Sequence, residues 1–291
     1  MRWEPDVSRG DWVRDRMVAR FGDLRAIVPG GFEAFARILH PVSAQRPVGA
    51  TWEEVRSGAS PEDWEYRDTT WAEAAEHVGV TWHPLVQWNR IAATDPANGS
   101  WNGIPGRDGW RFAPPSMGDL DAETFAIIAR ALARHTSTPG AGCAAVWEGH
   151  GGMLSDAGFA VLTFSALGET DASATDASGI RPPLGPEVDA GPRFSLPDRE
   201  HVLFEAGIAE FEASDWPARA PWARTVWNAP SPNLVWPEDR AWVLATEIDF
   251  DSTVVGGSSA LVEELVGTAG LEAVRIPADA DLTWDGDLIN G

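Results

Sequence analysis

The residues whose types and spacing fit chemistry lie in two short runs, Trp147-Glu148-Gly149-His150-Gly151-Gly152 and Glu247-Ile248-Asp249-Phe250-Asp251. In the first, Glu148 beside His150 has the make-up of an acid/base pair, and His-Gly-Gly that of an oxyanion loop. A strand end turning on glycines accounts for the same residues without chemistry. In the second, a strand would place Glu247, Asp249 and Asp251 on one face and Ile248 and Phe250 on the other. Three oxygen donors on one side suit Mg2+ or Ca2+. A solvated strand face with Arg240 or Arg275 as partner is the plainer reading.

Gly256-Gly257-Ser258-Ser259-Ala260 approximates a nucleophile elbow at the start of a helix. That arrangement needs a histidine after the serine, and the last one here is His201. Ser258 therefore reads as a helix N-cap, with the glycines leaving backbone amides open to an anion. Glu247 to Thr253 also resembles the Asp-x-Asp-x-Thr signature that opens the haloacid-dehalogenase phosphatases. Too little chain follows it for that family's later motifs, and the phosphate-binding lysine is missing, so the resemblance is set aside.

The six histidines (His40, His77, His83, His135, His150 and His201) show no local zinc spacing, and the lone Cys143 rules out a disulfide framework. The chain has no lysine, which excludes Schiff-base, P-loop and Ser-x-x-Lys chemistry. Sixteen tryptophans accompany one tyrosine. Most are expected in the core; Trp101, Trp110, Trp216, Trp222, Trp227 and Trp236 sit in loop-like sequence and are the ones expected to line a groove.

These residues need elements to hold them. Capping and periodicity predict helices at 11–21, 70–78, 121–134 and 258–266, with shorter helical pieces at 52–55 and 83–92. Strands are expected at 32–42, 143–147, 159–164, 241–248 and 271–276, with 202–204 pairing beside 159–164. Residues 43–69 read as a long excursion, 94–118 as an ordered loop and Gly256-Gly257 as a turn. The expectation is one α+β domain over 1–291, a mixed or mainly antiparallel sheet flanked by helices. It divides into an N-terminal region (1–164), a flexible insertion (165–197) and a C-terminal region (198–291). A domain linker is the alternative reading of the insertion.

Charge narrows the function. With 44 acidic against 22 basic residues the formal net charge is −22, which disfavours nucleic acid and anionic membranes. No run approaches the roughly 18 apolar residues of a membrane span. The N-terminus lacks a signal-peptide core, so a cytoplasmic location is expected.

The segments Asn233 to Trp242, Glu247 to Gly257, Phe35 to Pro41 and Val146 to Gly149 resemble an uncharacterised family of actinobacterial cytoplasmic proteins with no known activity. The resemblance implies a location and no mechanism. The leading expectation is a non-enzymatic protein of regulatory or immunity type that binds a partner, a basic one by charge, through an acidic, tryptophan-bearing surface. The alternative is an enzyme or small-ligand binder. Its ligand-binding residues would be Trp147, Glu148, His150, Trp236, Asp239, Arg240 and Ser258, and its metal ligands Glu247, Asp249 and Asp251, holding Mg2+ or Ca2+. The oligomeric state is left open.

Overall fold

The structure is a computed structural model that describes residues 1–18, 23–93, 103–151, 153–154, 184–197, 199–223 and 229–291. The strands are β1 (Arg2–Trp3), β2 (Ala34–Leu39), β3 (Val42–Val48), β4 (Asp63–Thr69), β5 (Ile104–Pro105), β6 (Arg111–Phe112), β7 (Gly142–Trp147), β8 (Phe194–Leu196), β9 (Arg199–Glu205), β10 (Leu234–Pro237), β11 (Val243–Thr246), β12 (Ser252–Gly257) and β13 (Glu272–Ile276). The helices are α1 (Asp11–Arg14), α2 (Trp52–Arg56), α3 (Trp71–Val78), α4 (Trp88–Ala92), α5 (Ala122–Arg134), α6 (Pro186–Asp189) and α7 (Ser259–Gly267).

Among the described residues the strands form two antiparallel sheets, and the fold is α+β. The large sheet runs β1-β9-β7-β10-β11-β12-β2-β13, with β8 also on β9, and the small one runs β4-β3-β6-β5. Only His40 and Pro41 separate β2 in the large sheet from β3 in the small one. β12 and β13 both pair antiparallel with β2, so they run parallel to each other, joined by α7.

Helix ends are set by their caps. Asp121 accepts the N–H groups of Glu123 and Thr124 at 3.1 and 2.9 Å, and Phe125, Ile128, Ala129 and Leu132 then bury one face of α5 on the large sheet. Ser258 caps α7 through the Leu261 N–H at 3.2 Å. Thr70 caps α3, and Glu272 on β13 accepts the N–H groups of Trp71 and Ala72 at 2.7 and 2.9 Å. The other face of the large sheet packs on Trp12, Val13, Phe194 and Leu282.

Several expectations change. The helix expected over 11–21 stops at Arg14, because the Val18 N–H turns back to the Arg25 carbonyl at 2.9 Å; residues 19–22 lie outside the described set. Of the piece at 83–92 only Trp88–Ala92 is helical, since the Pro84 and Val86 carbonyls face the Arg37 guanidinium instead of a helix turn. The excursion at 43–69 holds the β3–β4 pair and α2. Gly256 and Gly257 lie in β12, not in a turn: a Cβ on Gly256 would sit 2.6 Å from Phe32, and one on Gly257 2.7 Å from Leu261. The strand expected at 159–164, and with it the expected pairing beside 202–204, lies outside the described residues; β9 pairs with β7, β1 and β8. Of the expected insertion, 165–183 lies outside the described residues. Residues 184–197 carry α6 and β8, with Val188 and Phe194 buried.

Polar groups cross the large sheet in a buried row. Asn233 Nδ2 donates to the Thr246 carbonyl at 3.1 Å, the Thr246 and Thr253 hydroxyls are 2.8 Å apart, and Thr253 Oγ1 is 3.0 Å from His40 Nε2. His40 Nδ1 lies 2.7 Å from the Ser116 carbonyl. A carbonyl only accepts, so Nδ1 carries the proton. Burial drops the His40 pKa to about 4, so Nε2 is bare and accepts from Thr253, which accepts in turn from Thr246.

Segment 116–120 lies along the β11–β12 turn. Gly118 has φ +67°, and a Cβ there would stand 2.3 Å from the Ile248 carbonyl oxygen. Gly118→Ala is expected to cost about 2 kcal/mol or more, read as a lower urea midpoint at unchanged slope. A midpoint equal to wild type would show that this approach does not constrain the fold.

Candidate functional site

The first run begins at the end of β7, as the sequence leads one to expect. Trp147 ends β7 opposite His201 of β9, and the His150 ring meets the Trp147 indole edge-on at 5.4 Å. Glu148 turns to Arg193, whose Nε donates to it at 2.8 Å. Arg199, not singled out from sequence, joins the two runs. Its Nη2 contacts Glu247 Oε1 at 3.2 Å and Asp249 Oδ2 at 2.7 Å, and its guanidinium lies 6.0 Å from the Trp147 ring centre.

The three carboxylates do not share a strand face. β11 ends at Thr246, and 247–251 form the turn into β12, which sends Asp251 away from the other two. Asp251 Oδ1 lies 3.6 Å from Arg37 Nη2 instead. Among the described residues no group of three or more His, Cys, Asp or Glu side chains is placed to hold a metal. Burial pushes the Glu247 and Asp251 carboxyls up, against the pull of Arg199 and Arg37 respectively.

Next to Arg199 is a cavity of about 20 Å3, lined among others by His201, Asn233, Thr246 and Glu247. That is room for about one water. His201 is 3 % exposed and its Nδ1 has no hydrogen-bond partner among the described residues. Burial lowers its pKa to about 4, so the ring is neutral near pH 7.

The other sequence candidates lie apart from Arg199, each in contacts of its own. Trp236 is buried, edge-on to Trp12 at 6.5 Å. Asp239 accepts from the Ser137 amide and hydroxyl at 2.6 and 2.7 Å, which hold its carboxyl below the usual range against burial. Arg240 has φ +59° and lies 5.3 Å from the Trp12 ring centre. Ser258 is the α7 cap. Trp216 and Trp222 belong to the core, while Trp101 and Trp227 lie outside the described residues.

On the small sheet and its flanks Tyr66 is exposed, Trp52, Trp64 and Trp110 are half-buried, and Phe112 is buried. By register, Arg46, Glu65, Arg67 and Phe112 share one face, and Pro47, Trp64, Tyr66 and Arg111 the other. On the first face the Arg46 and Arg67 guanidiniums lie 4.9 and 5.5 Å from the Trp110 ring centre. On the second, Arg111 lies 4.9 Å from Trp52, which packs on Trp64 at 5.3 Å. Trp52 Nε1 donates to the Gly109 carbonyl at 2.6 Å and ties α2 to the Asp108–Gly109 turn.

Two cavities meet at that turn. One, of about 620 Å3, has Trp110 and Phe112 among its lining with Glu73, Glu76, Asp108 and Arg67. The other, of about 570 Å3, includes Trp52, Val48, Glu53, Glu65 and Asp108. The only one of these aromatics anticipated as groove-lining was Trp110. Trp52 and Trp64 gave no local signal, because β-pairing creates the face and 43–69 shows no clean alternation.

Fold and site define an α+β protein with a small sheet whose aromatic and arginine side chains flank carboxylate-rimmed cavities. No family model, no curated protein and no solved structure matches the chain.

Proposed function

We propose that this is a non-enzymatic, cytoplasmic binding protein that recognises a basic protein partner through the small sheet. The observation that carries the reading is the pairing of an aromatic floor with a carboxylate rim around the Asp108–Gly109 turn. Trp, Tyr and Arg supply most interface hot spots, and this sheet and α2 gather all three types. The carboxylates at the cavity mouths suit the head group of a lysine or arginine, which would compete for the indoles with the chain's own Arg46, Arg67 and Arg111. The −22 chain adds a long-range field that speeds encounter with a cationic partner.

In a titration with a fluorescein-labelled lysine-rich peptide, read by anisotropy, Trp110→Ala is expected to weaken binding about tenfold or more. Asp285→Asn, at a carboxylate 95 % exposed and remote in sequence from the small sheet, is expected to leave it unchanged. Equal affinities for wild type and Trp110→Ala would reduce the interaction to bulk charge and sink the reading.

A further inference from the structure

We infer that the outer edge of β4 pairs with the same edge of a second copy of this chain, about a two-fold axis at Tyr66. The inference concerns the strand edge and not the cavities, although Arg67 and Glu65 also line them; self-association is read apart from peptide binding, so the two readings fail separately.

β4 is an edge strand: it pairs with β3 on one side and, among the described residues, with no strand on the other. Five of its seven residues are exposed, and Tyr66 is 66 % exposed. A long bare edge is a template for another strand unless charge or a covering element blocks it. Here the charges are arranged so that they block most partners and suit one.

Which backbone groups face outward follows from the inner bonds. The Ala113 N–H donates to the Ser43 carbonyl at 2.7 Å, in register with the β3–β6 pairing, so Ser43 points its backbone at β6. Alternation then turns Val42, Ala44, Arg46 and Val48 towards β4. The Val48 carbonyl, which accepts from the Glu62 N–H at 2.9 Å, agrees. Their register partners Asp63, Glu65, Arg67 and Thr69 face β3. The N–H and C=O groups of Trp64, Tyr66 and Asp68 lie on the outer edge; the Trp64 N–H is capped there by the Asp63 carboxylate at 2.8 Å, which a pairing strand would displace.

An antiparallel two-fold centred on Tyr66 uses those groups. Tyr66 exchanges both bonds with its own copy, and Trp64 does so with Asp68 of the second copy. Glu65 then lies opposite Arg67 of the second copy, and Arg67 opposite its Glu65. These are pairs without backbone bonds, in which side chains come closest, with Cα atoms about 4.5 Å apart. Moving the axis breaks the match: centred on Trp64 it sets Asp63 against Glu65, centred on Glu65 or Arg67 it sets like against like, and centred on Asp68 it leaves Glu65 beyond the strand. Arg67 has no carboxylate within 4 Å among the described residues, so this register supplies one. Glu65 would stand between Arg46 of its own chain and the new Arg67.

The interface is isologous, as two-fold dimers are. Two chains of −22 repel each other at long range, so association should strengthen as salt rises from low values to physiological strength.

Sedimentation velocity across protein concentration tests this. Wild type is expected to move from 31.4 kDa towards twice that mass. Arg67→Glu and Glu65→Arg should each weaken self-association about tenfold or more, because opposite pairs become like pairs. Mixing the two variants should restore a dimer. The first variant is acidic at both positions and the second basic at both, so every facing pair in the mixed dimer is opposite in sign. A measurement without variants guards against misfolding. On dilution, amide exchange should speed up at Trp64, Tyr66 and Asp68 and stay slow at Glu65 and Arg67. A chain that stays at 31.4 kDa up to about 1 mM, a dimer indifferent to Arg67→Glu, or protection that does not alternate would each overturn the inference.

Discussion

Asp251→Ala is expected to destabilise the protein by about 3 kcal/mol, a large fraction of the 5–15 kcal/mol typical of a folded domain. Arg37 is fully buried in β2, and Asp251 is the carboxylate that approaches it, at 3.6 Å. Its hydrogen bonds go to neutral oxygens, the Ser252 hydroxyl at 3.0 Å and the Pro84 and Val86 carbonyls at 3.2 and 2.8 Å, and it lies 5.6 Å from the Trp71 ring centre. Removing the carboxylate leaves a guanidinium in a low-dielectric interior with only the more distant Asp287 as counter-charge. The side chain of Asp251 is 21 % exposed, which places the loss at the low end of the 3–5 kcal/mol range for broken buried pairs. Arg37→Met combined with Asp251→Ala should recover some of the loss, since the apolar replacement removes the orphaned charge. Urea unfolding of the two variants decides the matter. A cost below about 1 kcal/mol for Asp251→Ala would mean that water or another group compensates Arg37.

Lowering the pH is expected to remove several kcal/mol of stability between about pH 7 and about pH 4. His40 and His201 are both buried, with pKa values depressed to about 4 from the ordinary 6.5. In that window the unfolded chain binds more protons at these positions than the folded one, so stability falls with pH. The loss is complete once both states are protonated. Each histidine contributes up to about 3 kcal/mol, at 1.36 kcal/mol per pKa unit. Glu247, Asp251 and Glu272 act in the opposite sense, because their burial-raised carboxyls take up protons earlier when folded. Unfolding free energies of wild type and His40→Gln at stepped pH isolate one histidine. The variant should be less stable near neutrality but lose less on acidification. Identical pH slopes would show that His40 does not titrate in this way.

How far the structure was legible depended on whether neighbours in sequence were also neighbours in space. α5 and α7 carry their own caps and apolar stripes, and both appear close to the predicted bounds. β7 and β11 are short apolar runs and β13 buries Ala273 and Ile276, and their cores lie where expected. β4, Asp-Trp-Glu-Tyr-Arg-Asp-Thr, has no apolar alternation, because neither of its faces is fully buried, so no local pattern marks it. β12 ends in two glycines that look like a turn; facing side chains fill the space their Cβ atoms would occupy. Arg37 and His40 looked like ordinary polar residues in an apolar stretch. Their importance comes from Ser252, Asp251 and Thr253, far along the chain. The runs at 147–150 and 247–251 were recognised, but Arg199, which bridges them, has no sequence mark linking it to either.

The placement of β2 bears on how the chain can be made. Both its neighbours in the sheet, β12 and β13, come from the last stretch of the chain, and the Arg37–Ser252 bond closes a span of 215 residues. A ribosome releases the N-terminal strand long before either flank exists. Until then its unpaired backbone edges and apolar side chains must wait, held by transient contacts or by a chaperone. A message or nascent chain cut short before Ser252 would leave β2 with no strand on either side. Such fragments should be aggregation-prone even when most of the chain is present.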